Sequence, residues 1–168
     1  MKIILSHGRA LGATSKDMAY MGRTARAQGF STLAVDDRGN DDRHSRRARL
    51  ADIVAAEPEP VLLAGFSMGA YISAQIAAEQ PEQVRGLFLL APPFYHPRYG
   101  HEPPRPPQPM TIMHGWQDEV VPWQDSVKYC TGQQQLILVP APHFFGSPVA
   151  LALLQNHFAT FLKEYAWN

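Results

Sequence analysis

Residues 61–74 read Val61-Leu62-Leu63-Ala64-Gly65-Phe66-Ser67-Met68-Gly69-Ala70-Tyr71-Ile72-Ser73-Ala74, and this stretch decides the fold. Its first half is a continuous apolar run, the pattern of a strand buried on both faces. Its second half opens a helix in which Gly69, Ala70, Ser73, Ala74, Ala77 and Ala78 are small enough to pack closely on a sheet. Between the two lies G-x-S-x-G, at the strand-to-helix turn that gives the motif its mechanical meaning. Such a turn lifts the Ser67 hydroxyl clear of the sheet on a strained backbone, and glycines two residues to either side leave room for neighbouring chain. The helix that follows aims its positive N-terminal end at the serine.

Outward from this point the same alternation fills the chain. Residues 2–5 form a short buried strand that turns at Ser6-His7-Gly8. A helix follows, with Thr14 and Asp17 as a capping box, Met18, Met21 and Ala25 at helical spacing, and Gly29 at the C-terminal cap. Residues 30–35 read as the second strand and 36–40 as loop. A helix over about 45–57 turns Leu50, Ile53 and Val54 inward and is stopped by Pro58 and Pro60. Beyond the strand at 61–66 and the helix at 68–79, strands are expected at 84–91, 110–114 and 136–139. A short helix is expected after Pro122, and a last one opens at Ser147-Pro148 and carries Leu151, Leu154, Phe158 and Phe161. Strands alternating with helices predict an α/β fold, a doubly wound parallel sheet of six strands with helices on both faces.

One segment breaks this rhythm. Residues 92–109 hold eight of the fifteen prolines, with Phe94, Tyr95, His96, Tyr99 and His101 among them. Neither a helix nor an interior strand can form there. A stiff extended excursion over one end of the sheet is expected. The Pro106-to-Pro109 spacing as a polyproline recognition site is the weaker reading.

Composition narrows the function classes. The 168 residues fit a single domain over 1–168, long enough to bury roughly two-thirds of the unfolded surface. Fifteen Lys plus Arg balance fifteen Asp plus Glu, so no net field draws the chain to nucleic acid or to an anionic membrane. The lone Cys130 cannot form an intramolecular disulfide, and the apolar start is too short for a signal peptide or a membrane span; a cytoplasmic setting follows as the expectation. Cys130 lies seven residues after Trp123 and three after Val127, which reads as the core face of a short helix and a buried structural thiol. Neither a metal-ligand cluster nor a nucleotide fingerprint is present, so no cofactor and no metal are implied. Arg38, Arg43, Arg46, Arg47 and Arg49 crowd one stretch, which suggests a phosphate-bearing substrate such as an acyl-CoA. Asp36, Asp37, Asp41 and Asp42 lie beside them, and mutual neutralisation on a solvated helix face is the better reading.

A serine hydroxyl is a poor nucleophile without an adjacent base held by a third group. Seven histidines compete. His143 lies four residues past the last strand, at the carboxyl edge where open parallel sheets bind ligands. His7 and His114 also end strands, but each precedes a glycine and is expected to shape a loop. His157 is mid-helix, His44 lies in a charged loop, and His96 and His101 ride on the excursion. Asp118, after the strand that ends at His114, is the candidate acid that orients the imidazole, with Glu119 adjacent and Asp125 inside the next helix. The oxyanion formed on attack needs two backbone donors. The N–H of Met68 follows from the elbow, and that of Arg9 is the choice for the second, with Ala10 behind it. Trp116, Phe144, Phe145, Tyr95 and Phe94 lie in loops; Trp116, Phe144 and Tyr95 are expected to contact substrate in an open apolar cleft.

Taken together, these residues resemble an α/β-hydrolase-fold serine hydrolase over nearly the whole chain. The likeness rests on His7-Gly8, Asp37-Arg38-Gly39, Gly65-Phe66-Ser67-Met68-Gly69, His114-Gly115 with Asp118 and Pro122, and His143, in the family's order of nucleophile, acid and histidine. The resemblance implies Ser67 as nucleophile, Asp118 as acid, His143 as base, and oxyanion donors at Met68 and Arg9. It implies a sheet in the order 2-1-3-4-5-6, lacking the family's first two strands, and a minimal cap-less fold with the 92–109 excursion in place of a cap. The type is esterase-like and related to dienelactone hydrolases, with serine where that branch carries cysteine. The implied substrate is a carboxylic ester of small or medium acyl chain. A thioester substrate, or a non-catalytic binding protein of the same fold docking through its proline segment, stands as the alternative, and the oligomeric state is open.

Overall fold

The computed structural model describes residues 1–100 and 102–165. Its strands are β1 (Lys2–Ser6), β2 (Ser31–Val35), β3 (Val61–Phe66), β4 (Val84–Leu90), β5 (Met110–Gly115) and β6 (Gln134–Val139). All pairings are parallel, in the order β2-β1-β3-β4-β5-β6. The helices are α1 (Lys16–Ala27), α2 (Arg43–Ala55), α3 (Met68–Glu79), α4 (Trp123–Tyr129) and α5 (Pro148–Lys163). The expected doubly wound sheet and strand order are thus the observed ones.

The period-2 alternation of strands divides the core in two. Ile3, Leu5, Leu62, Ala64 and Phe88 point to one face, where α1 and α5 cover them with Met18, Met21, Leu154, Phe158 and Phe161. Ile4, Leu63, Leu87 and Leu89 point to the other, under Leu50 and Val54 of α2, Ile72, Ala74, Ile76 and Ala77 of α3, and Tyr129 of α4. Strands roofed on both faces leave polar chemistry to the rims of the sheet, and in open parallel sheets ligands bind at the rim where the carboxyl ends emerge.

Several boundaries differ from the sequence reading. Ser15, not Thr14, caps α1, and its hydroxyl makes no cap bond. Helix α2 starts at Arg43 because the Asp42 carboxylate accepts the N–H groups of His44 and Ser45. Strand β6 begins at Gln134; as an edge strand with one partner it tolerates Gln134 and Gln135. Cys130 caps the end of α4 and is only partly buried, because that helix turns Ser126 and Tyr129 inward and leaves Val127 exposed. Burial still raises the Cys130 thiol pKa.

The proline segment is anchored rather than free. Phe94 stacks on Tyr129 at 4.0 Å between centroids. The Tyr129 hydroxyl donates to the Pro104 carbonyl, and Arg105 donates to the Tyr129 carbonyl and the Tyr95 hydroxyl. Among the segment's described residues a single 3-10 turn, Pro97–Tyr99, interrupts the extended path. His101 lies outside the described residues. Among the described residues, four non-glycine residues adopt positive φ: Ala10, Ser67, Ala91 and Tyr95. Each follows the carboxyl end of a strand.

Candidate active site

Ser67 sits between β3 and α3 with φ 50° and ψ −117°, outside the regions that L-residues normally occupy. The turn is tight enough to exclude side chains at its flanks. A Cβ at Gly65 would lie 2.5 Å from the Gly69 carbonyl, and one at Gly69 would collide with the Ser6 carbonyl. The Ser67 N–H donates to the Leu90 carbonyl at 2.9 Å, which ties the strained turn to β4. The expected elbow is present, and its hydroxyl opens into a cleft of about 350 Å³.

His143, Phe66 and Phe144 line that cleft with Ser67. His143 is 3% exposed and packs against Phe66 and Phe144 at 5.0 and 5.2 Å between ring centroids. Its Nδ1 lies 2.7 Å from Asp118 Oδ2. An ionised carboxylate only accepts, so Nδ1 carries the proton and Nε2 is left as the free basic nitrogen. No hydrogen bond joins Nε2 to the Ser67 hydroxyl among the described residues; catalytic hydrogen bonds of this kind often form only in the complex with substrate.

The Asp118 side chain is wholly buried. Burial by itself would raise its pKa. Hydrogen bonds from His114, His143 and the Val121 N–H more than reverse this and hold the carboxyl well below the usual carboxylate range. Oδ1 accepts from the Val120 and Val121 N–H groups, both at 2.8 Å, while Oδ2 serves both imidazoles.

His114 is the residue that sequence reasoning passed over. It is fully buried, and its Nε2 lies 3.1 Å from Asp118 Oδ2 and 3.2 Å from the Val121 carbonyl. Two acceptors at Nε2 require the proton there, so Nδ1 accepts from the Ser126 hydroxyl at 2.7 Å. The ring braces the same carboxylate oxygen that holds His143. His114→Phe strips one donor from Asp118 and strands the Ser126 hydroxyl, at a cost of about 1–3 kcal/mol. A urea titration checks the loss; no change would show that the contact carries nothing.

The loop after β1 is held by two buried polar residues. His7 is neutral in this environment: burial lowers its pKa, Nδ1 lies 2.7 Å from the Gly8 carbonyl, and Nε2 accepts the Asp37 N–H at 2.9 Å. Arg46, 1% exposed, donates to the carbonyls of His7 and Gly8 and pairs with Asp37. The reading of a solvated, self-neutralised helix face is therefore corrected at Arg46. It holds for Arg49, paired with Asp37, whereas Arg47 pairs with Glu79 of α3 instead of a neighbouring aspartate and Arg43 has no carboxylate partner among the described residues. Ala10 is removed as an oxyanion candidate, since its N–H donates to Asp41 Oδ1 at 3.0 Å. The N–H of Arg9 has no such partner among the described residues, and Met68 is the first residue of α3, where a backbone donor is left free.

Of the aromatic residues expected at the cleft, Phe144 lines it. Trp116 and Tyr95 do not. Trp116 is 48% exposed on the loop after β5, and Tyr95 is held by Arg105, with the Lys128 ammonium 3.9 Å from its ring centroid. Tyr99 and His96 take their place; the side of the cleft they form was not legible because a 3-10 turn inside a proline run has no periodicity to read. No group of residues able to hold a metal occurs among the described residues.

A family model, Hydrolase_4, described as serine aminopeptidase, S33, matches residues 1–135. The chain belongs to that family. In structure, this Hydrolase_4 member is similar to a protein assigned to the alpha/beta hydrolase superfamily from Xanthomonas campestris pv. campestris, at 28% identity and TM-score 0.86 over 97% of this chain and 98% of that one. It is similar in fold to alpha/beta hydrolase domain-containing protein 10 from mouse, at 17% identity and TM-score 0.85 over 98% and 90% of the two chains. A serine hydrolase without a lid from Xanthomonas campestris aligns at 24% identity and TM-score 0.78, over 98% and 81%. No curated protein matches the chain in sequence. The family and these folds make this protein a hydrolase of the α/β-hydrolase fold. No helix among the described residues is long and apolar enough to cross a membrane.

Proposed function

We propose that this protein is a serine hydrolase that cleaves a carboxylic ester through an acyl-enzyme on Ser67. The observation that carries the reading is the strained Ser67 turn opening into the cleft that the Asp118-bound His143 also lines. Ser67 Oγ attacks the carbonyl carbon while His143 Nε2 takes its proton. The N–H groups of Met68 and Arg9 receive the oxyanion, each worth roughly 3 to 4 kcal/mol in the transition state. Collapse expels the alcohol, which takes the proton from His143. Water then attacks the acyl-enzyme with His143 as base, releasing the acid and restoring the serine. Asp118 keeps the imidazole in the required tautomer and stabilises its cation. A thioester would pass through the same steps.

Cleavage of a free amino terminus, which the family's description suggests, fits less well. Holding an α-ammonium calls for an available carboxylate in the cleft. The acid lining it, Asp41, is already engaged by Arg9 and the Ala10 N–H, and Arg9 and Arg98 oppose a cation. The test is labelling with a fluorophosphonate probe and release of nitrophenol from nitrophenyl esters of increasing acyl length. Wild type is expected to be labelled at one site and to show a burst, and Ser67→Ala to lose both. Equal labelling of Ser67→Ala, or folded wild type without turnover on any ester, overturns the proposal and favours a binding role.

A further inference from the structure

Of the arginines gathered around the mouth of the cleft, two have no acid. Arg9 pairs with Asp41, and Arg46 with Asp37. Arg43 and Arg98 have no carboxylate within ion-pair distance among the described residues. The hollow that holds Ser67 continues into a second, of about 250 Å³, and the two share Arg9, Asp41, Arg98 and Tyr99. Arg43, Met68 and Asp42 also line the second hollow, so the nucleophile elbow stands at the junction. Tyr99 marks the centre of the charge: burial raises its phenol pKa, against the pull of the guanidinium groups of Arg9, Arg46, Arg98 and Arg43. Arg43 lies over the Tyr99 ring at 5.9 Å from its centroid, and the Arg98 backbone is pinned by the His96 ring nitrogen at 3.2 Å.

Neither arginine is explained by stability. Arg43 is the first residue of α2, whose first turn contains no acid; a cation there opposes the helix dipole. The nearby Asp42 is spent on capping the helix. Arg98 is exposed on a turn and repels Arg9. Two unpaired guanidinium groups along a trough that begins at a nucleophile supply what a carboxylate or phosphate needs, forked donors and positive charge.

We infer that the trough lined by Arg43, Arg98 and Tyr99 binds an anionic group of the substrate, so that the preferred ester carries a carboxylate or a phosphate beyond the scissile bond. This rests on the esterase reading of Ser67. Three acetyl esters test it, because all pass through the same acetyl-enzyme: phenyl acetate, 4-acetoxybenzoate and 4-acetoxyphenyl phosphate. Acetoxyphenyl-trimethylammonium serves as the cationic counterpart. In low salt, kcat/KM for the anionic esters is expected to exceed that for phenyl acetate by about tenfold, with the cationic ester below both. The advantage should shrink as ionic strength rises, since exposed charges are screened. The two anionic arms decide between carboxylate and phosphate.

Arg43→Glu with Arg98→Glu should reverse the order of the anionic and cationic esters. The first change places an acid where the helix dipole favours it and the second is on the surface, so folding is expected to survive. A wild-type order that ignores charge or salt, or an unchanged order in the double variant, overturns the inference while leaving the esterase reading intact. Absence of probe labelling and of phenyl acetate turnover would overturn both.

Discussion

Asp118→Asn is expected to lower kcat roughly 10⁴-fold, the scale seen when a triad acid loses its charge but keeps its shape. The local reason is that every neighbour of this carboxylate is a donor. Two backbone N–H groups face Oδ1 and two imidazole N–H groups face Oδ2. An asparagine amide must aim its NH₂ at one of these pairs. If it faces the imidazoles, His143 turns its proton toward the serine and ceases to be a base. Single-turnover acylation should show the loss, and a fall of less than tenfold would remove Asp118 from the mechanism. The same variant changes the response to acid. The pKa of Asp118 is depressed in the folded protein, so its stabilisation is present above the ordinary value of 3.8 and drains away as pH falls toward the folded value. Asp118→Asn should therefore flatten the stability profile below about pH 4.

Arg46→Met is the second large effect, and its target is the loop that would carry an oxyanion donor. The substitution keeps much of the volume but leaves Asp37 buried with only Arg49 beside it, and withdraws donors from the His7 and Gly8 carbonyls. Breaking a buried pair from one side costs about 3–5 kcal/mol, and the remaining Arg49 contact places the expected value at the lower end. Activity should fall beyond the stability loss, by up to the roughly 10²–10³ of one misplaced oxyanion donor. Arg46→Met combined with Asp37→Asn should lose less stability than the two single changes added, because no buried charge is then unpaired. A single-variant cost below about 1 kcal/mol in a denaturant titration would show that the pair does not hold the loop.

The elements nearest the elbow were the most legible. Strand β3 and helix α3 lie within the expected bounds because a doubly buried strand and an Ala-rich helix leave little ambiguity. The residues of the candidate triad were legible for a related reason: each follows a strand in a loop at the same sheet edge, a placement that the fold class dictates. What escaped were residues whose role depends on burial. His114 and Arg46 read as loop and surface because polar type predicts exposure, and nothing local announces that the Asp118 carboxylate or the His7 carbonyl waits beside them. The cleft wall was misassigned for the opposite reason. Aromatic type marked Trp116 and Tyr95, but neither the loop after β5 nor the proline segment carries a register from which to tell which ring faces Ser67.

The four non-glycine residues at positive φ all stand on the rim that holds the candidate chemistry. Backbone held in such conformations costs of order 1–3 kcal/mol each and persists because surrounding structure enforces it. Durability and turnover are then in competition along one edge of this sheet, where relaxing a dihedral would harden the protein and blunt the site. Among the described residues the amino-terminal edge carries no such tension, since the positive-φ positions just before β2 and β6 are already glycines, Gly29 and Gly132. An engineer seeking a tougher catalyst would work on that quiet side and leave the rim its discomfort.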